Sequence, residues 1–177
     1  MSMKKTVWTW GLIAGGIPSA LMLVATVFAD RIGFEKGAIV GYTGLVLSSL
    51  TIFFGVRAYR ENVGGGHLSF KKGLQVGLLI ALVACVLYVC TWQIVYHAFI
   101  PDFAEKYAAF ALDKARSQGK SEAELAELAR QMAHFQEMYE NPLVNIAFTL
   151  LEPLPFGLLS ALISAGILRR REAPATV

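Results

Sequence analysis

The chain has 177 residues, 55% of them hydrophobic, and a net charge of +3, with a mean hydropathy of +0.52. Only 16% of residues are charged, against about a quarter in soluble domains, and several long stretches carry no charge at all. This argues against a soluble domain, predicts one compact membrane domain, and calls for no nucleic-acid partner.

About 20 apolar residues cross a bilayer core, and four stretches qualify: residues 7–29, 37–56, 74–100 and 144–168. Backbone polar groups in lipid need internal partners, so each span is predicted to be a helix. Continuous rather than alternating apolar runs argue against a β-barrel. The fold class expected is all-α, a polytopic four-transmembrane-helix bundle with an external helical hairpin between helices 3 and 4.

The first span follows Lys4 and Lys5, and "VFAD" places Val27 and Ala29 where a signal peptidase cuts. Its apolar run exceeds the roughly 7–15 residues of a signal h-region, so an uncleaved helix is expected. Pro18 lies inside this span, removes a backbone donor and predicts a kink. Gly11 and Gly15 form a GxxxG pair, and Gly33, Gly37 and Gly41 form a second series entering the next span. In lipid, helices associate through small-residue faces. Packing within the chain is the first expectation for these faces, and a homo-oligomer seam the second.

The connection "RAYRENVGGGHLSFKKGL" contains Gly64 to Gly66 but lacks the Gly-Lys-Ser/Thr ending of a phosphate-binding loop. It reads as a flexible basic link suited to anionic headgroups. Gly73 and Gly77 open the third span, which also holds Cys85 and Cys90. Five residues apart on a helix, the two thiols point to different sides, so neither a disulfide nor a metal pair is expected.

Residues 101–142 read as two helices broken near Gly119. Phe103, Tyr107 and Phe110 share one face of the first. The second opens on Ser121 with Glu124 three residues on, a capping-box pattern. Leu125, Leu128, Met132, Phe135 and Tyr139 then form a narrow apolar stripe. The stripe either buries itself in the hairpin or docks a partner, for which a membrane protein, a periplasmic protein and a second copy are the candidates.

The fourth span carries Gly157, Ala161 and Ala165 at small-xxx-small spacing. It also carries one acid, Glu152, followed by Pro153 and Pro155. Intramembrane polar residues are functional candidates, and four gather toward one end of the spans: Glu152, His97, Gln93 and Tyr96, with Asp30 and Asp102 nearby. The prolines free backbone carbonyls as further ligands, as in broken transporter helices. The plain alternative is a structural polar contact between helices.

Nine basic residues (Lys4, Lys5, Arg57, Arg60, Lys71, Lys72 and Arg169 to Arg171) flank one side of the spans in short segments. Seven lie on the other side, diluted by ten acids. The positive-inside rule places both termini in the cytoplasm of a bacterial inner membrane and residues 101–142 outside.

The segment "GGHLSFKKGLQVGLLIALVACVLYVCTWQIVYHAFIPDFAEKY" and the closing "PFGLLSALISAGILRR" resemble a bacterial integral-membrane family, domain of unknown function 4199. The features are "SF" before a basic-to-apolar transition, a "GL..GLLI.L" span and an aromatic exit into a "PDF.EKY" helix. The resemblance implies a four-helix inner-membrane protein and brings no catalytic residue or cofactor. No HExxH, GxSxG, paired CxxC or DxD pattern occurs, so a non-enzymatic protein without metal or cofactor is expected. The leading expectation is an accessory or scaffold subunit acting through its hairpin and helix faces. The alternative is a small transporter or lipid- or ion-binding protein using the Glu152–His97 region.

Overall fold

The computed structural model describes residues 2–170, and helices dominate it from end to end. In chain order these are α1 (Met3–Val27), α2 (Ala29–Asn62), α3 (Phe70–Ala98), α4 (Phe103–Ser117), α5 (Glu122–Tyr139), α6 (Pro142–Leu151) and α7 (Pro153–Leu168). Four stretches are long and apolar enough to cross a membrane: Met3–Val27, Arg31–Asn62, Phe70–Ala98 and Pro142–Leu168. The chain is a membrane protein. Arg171, counted above in the basic C-terminal flank, lies outside the described residues.

Helices α1, α3, α5 and α6 start where a local cap supplies a missing acceptor. Ser2 accepts from the Lys5 amide at 3.3 Å, Ser69 from Lys72 at 3.3 Å and Asn141 from Leu143 at 3.0 Å. Pro142 follows Asn141 in the first turn, where its missing N–H costs nothing. The capping box at α5 is complete, with the Ser121 amide donating to Glu124 Oε2 at 2.9 Å. Gly119, at φ 74°, makes the turn between α4 and α5.

The second span differs from expectation. Helix α2 begins at Ala29, immediately after α1, and Gly33 interrupts it with φ 65° and ψ 174°. Only glycine takes this conformation without strain, so the bend falls there. At Pro18, where a kink was expected, α1 continues as one helix through the proline.

Helix α1 packs on α2 and α3, and α7 packs on α3 and α2. Their core is small and mainly apolar: Ala14, Ile52, Val56, Val76, Ile80, Ala81, Ala84 and Ala161 are buried. Close approach requires glycine. A Cβ on Gly11 would stand 2.6 Å from Val83 Cβ, and one on Gly15 2.8 Å from the Ala84 carbonyl oxygen. Gly73 faces Ala165 Cα at 3.2 Å, while Gly77 meets Ala161 Cβ and Gly157 meets Ala81 Cβ, both at 2.9 Å.

Two of the expected packing glycines behave otherwise. Nothing lies within 4 Å of a Cβ on Gly37 or Gly41, so neither serves packing within the chain. On α2 that work falls to Gly44, whose Cβ would meet Pro18 Cα at 3.0 Å, and Gly55, 2.7 Å from Ile80 Cδ1. The spacing of Gly37 and Gly41 was right for a seam, but the bend at Gly33 and the register of α2 turn that face outward. The remaining surface of these helices is apolar, with Ile39, Val46, Leu50, Leu82, Leu159 and Ile163 exposed. So much exposed apolar surface fits lipid and not water.

Candidate functional site

At the α4/α5 end the packing changes character. Phe34 of α2 meets Phe103, Tyr107 and Phe110 of α4, at centroid distances of 5.9, 5.9 and 5.2 Å. Phe103 packs edge-on to Trp92 of α3 at 4.9 Å. Phe135 and Tyr139 of α5 reach Tyr107, Tyr96 and Phe148 at 6.0, 5.6 and 6.0 Å. Aromatic pairs at these distances contribute beyond their burial. Burial pushes the Tyr139 hydroxyl up to about 12.

The stripe assigned to a partner is therefore occupied to a large degree inside the chain. Tyr139 is buried, and Leu125, Leu128, Met132 and Phe135 are each half-buried.

Beneath this aromatic layer lie the polar groups of the spans. Glu152 sits where α6 ends and α7 begins. Its backbone keeps helical angles (φ −71°, ψ −58°), so the helix axis continues. The hydrogen-bond ladder does not, because Pro153 and Pro155 have no N–H for the carbonyls of Thr149 and Leu151 four residues earlier. Glu152 lies ten residues from the start of α6, about 15 Å along the axis. Its side chain is exposed, and Oε2 accepts a 2.7 Å hydrogen bond from the Tyr88 hydroxyl of α3.

A second bond joins the same helices nearer the α4/α5 end. Gln93 Nε2 donates to Asn145 Oδ1 at 2.7 Å. The two bonds share one antiparallel register, five residues apart along α3 and seven along α6. Asn145, Thr149 and Glu152 fall on one face of α6 by their four-then-three spacing. Asn145 is 1% exposed and its Nδ2 has no hydrogen-bond partner. Thr149 is buried and donates to the Asn145 carbonyl at 2.8 Å.

Of the four residues expected to converge, the structure joins Glu152 and Gln93 to new partners. Tyr96 belongs to the aromatic layer, between Trp92 and Tyr139. His97 is exposed, and its Nδ1 contacts the Gln93 carbonyl of its own helix at 2.9 Å. No hydrogen bond joins His97 to Glu152 among the described residues. Asp102 is held by Lys106 at 2.9 Å, a hydrogen bond that keeps its carboxyl below the usual range. The Asp30 side chain lies outside what is described.

Two participants escaped the sequence reading, Tyr88 and Asn145. Both are polar groups within spans. Asn145 also stands two helical turns before Glu152, a spacing visible in "NIAFTLLE".

On the other side of the Tyr88–Glu152 bond the interior closes. A cavity of about 10 Å³ is lined by Pro18, Ser48, Ser49, Tyr88, Pro153 and Gly157 among others, room for one water at most. Beyond it the Ser160 hydroxyl donates to the Ser49 carbonyl at 2.6 Å, and the close glycine contacts follow.

Residues 9–170 match a family described as protein of unknown function (DUF4199). The chain belongs to this family. No curated protein and no solved structure matches it. For this DUF4199 member the family description assigns no residue a role, so the chemistry rests on the geometry. A carboxylate and a hydroxyl oxygen meet here, and Pro153 and Pro155 leave two backbone carbonyls of the same spanning segment without their usual helical donors. All are oxygen donors, the kind hard cations take.

Proposed function

We propose that this protein is a non-enzymatic bacterial inner-membrane protein that binds a small monovalent cation at Glu152. In this reading it is a four-span bundle with both termini cytoplasmic and α4/α5 as an external hairpin. The observation that carries the proposal is the Glu152 carboxylate, set in a spanning segment with a single hydrogen-bond partner. A carboxylate at mid-bilayer costs about 2.5–3.5 kcal/mol on insertion scales, and one hydroxyl offsets only part of that. One positive charge neutralises it. A divalent ion would leave an excess charge in a low-dielectric layer.

The accessory or scaffold reading is second. It draws on the external hairpin and the small-residue helix faces, but Phe135 and Tyr139 of its docking stripe are engaged within the chain. In this account the stripe anchors the hairpin over the site.

Thermal unfolding in mild detergent separates the two readings. A cation at about 100 times its Kd adds about 2.7 kcal/mol of stability. Sodium, potassium or lithium is expected to raise the unfolding temperature of the wild type relative to choline at equal ionic strength. Glu152→Gln is expected to abolish the difference. Equal curves in all four salts for the wild type would sink the cation reading.

A further inference from the structure

An ion at Glu152 needs a way in, and the two surfaces around the carboxylate are unequal. Its exposed side opens among Leu151, Leu154 and Leu158, which are 61, 37 and 43% exposed. That is a lipid-facing surface, and hydrocarbon bars ions. Toward the cytoplasmic side the route meets the 10 Å³ cavity and then glycine contacts under 3 Å. One polar line remains, the α3/α6 seam through Gln93, Asn145 and Thr149.

The seam also carries an unmet demand. Asn145 spends its Oδ1 on Gln93, while its Nδ2, inside a residue 1% exposed, finds no partner. A buried donor left unpaired is costly. At the inner end of the same seam, Glu152 accepts, among the described residues, from Tyr88 alone. A donor without an acceptor at one end and an acceptor-rich group at the other are a pair of requirements that water meets together.

We infer that the α3/α6 seam is a hydrated access route from the external face to Glu152, closed to the cytoplasm below the Tyr88–Glu152 bond. Gln93 and Asn145 form its outer segment, Thr149 its middle and Glu152 its end. The aromatic layer of Trp92, Tyr96 and Tyr139 lies over it, so the route runs beneath the foot of the α4/α5 hairpin. The inference rests on the cation reading for its purpose, but the route itself is testable without any cation.

The experiment uses single cysteines at Asn145, Thr149, Glu152 and Ser160 in full-length protein carrying Cys85→Ser and Cys90→Ser. A membrane-impermeant, quaternary-ammonium methanethiosulfonate is added to right-side-out or inverted membrane vesicles. The thiolate attacks the reagent's sulfenyl sulfur, the new S–S bond forms and methanesulfinate leaves. Only a hydrated thiol ionises to react, so labelling at 149 and 152 from the outside is expected to run about tenfold or more faster than at 160. From the inverted face all four are expected to stay unlabelled.

Equal, slow labelling at 149, 152 and 160 from outside would overturn the route, as would faster labelling from the inverted face. Because Asn145→Cys removes a buried contact that folding uses, Gln93→Cys at the mouth provides a second test. Its labelling by the impermeant reagent is expected to block subsequent labelling at 152, and unhindered labelling there would contradict the route. Outside labelling without salt-dependent stabilisation would leave the route standing and the cation reading fallen. Salt-dependent stabilisation without labelling would do the reverse.

Discussion

The two ends of the spanning helices are held together differently. At the end bearing the termini, helices meet closely at glycines, each backbone set against small or apolar side chains: Gly11 on Val83, Gly77 on Ala161, Gly55 on Ile80 and Trp10. At the α4/α5 end they meet through rings and two interhelical hydrogen bonds, Tyr88 to Glu152 and Gln93 to Asn145. The glycine contacts leave little space, and the buried polar atoms near them that lack a partner are small hydroxyls, those of Ser19 and Ser164. The polar and aromatic half carries larger unmet groups, an unpaired Asn145 Nδ2 and a carboxylate with one partner among the described residues. Close packing gives the first half its stability. In the cation reading proposed above, incomplete satisfaction is what marks the second half as the binding region.

The largest way to break that contrast is at the aromatic layer. Tyr139 is 6% exposed and touches Tyr96, Phe103, Phe135 and Phe148. Removing a buried aromatic side chain costs about 3–5 kcal/mol. Tyr139→Ala is expected to release the hairpin and make the Gly119 turn cleavable by added protease, with the spans still folded. Global unfolding together with the hairpin would show the two halves to be one cooperative unit.

The next test sharpens the close-packed half. Gly77→Val puts a side chain where a Cβ already stands 2.9 Å from Ala161, and overpacking costs about 1–3 kcal/mol. Gly41→Ala, in open space, is expected to change stability by no more than about 0.5 kcal/mol. Thermal unfolding of the pair compares them directly. A large loss at Gly41 would reveal an interface that the single chain does not have.

The sequence made much of this legible and some of it not. Four apolar runs, the turn at Gly119 and the Ser121–Glu124 box could be read because each depends on local residues alone. The glycines on α1, α3 and α7 were readable for the same reason, since a small-residue face is written in the spacing. Gly37 and Gly41 misled because the spacing does not say which way a helix is turned, and the bend at Gly33 sets that. Glu152 and Gln93 stood out as polar groups in apolar runs, but their partners depend on the register of α3 against α6. His97 has the right depth and lies on an exposed face, a difference only packing decides.

The smallest expected effect is at the cap of α5. The Ser121 backbone amide, by its hydrogen bond, holds the Glu124 carboxyl below its ordinary range. The folded value is lower than the unfolded one, so this contribution is present above the unfolded carboxylate value. It fades as pH falls through the folded value. Amide exchange in the first turn of α5 is expected to quicken on acidification before exchange in α3 does. A first turn insensitive to acid would remove the carboxylate from the cap.

The central claim, a cation held at Glu152, is tested most directly by equilibrium binding of radiolabelled sodium to the purified protein. Wild type and Glu152→Gln would be compared in the same detergent, with potassium and lithium as competitors. The account predicts one saturable site per chain in the wild type and its loss in the variant. Saturable binding unchanged by Glu152→Gln, or none in the wild type with any of the three ions, would contradict it and leave Glu152 a hydrogen-bond acceptor that ties α6 to α3.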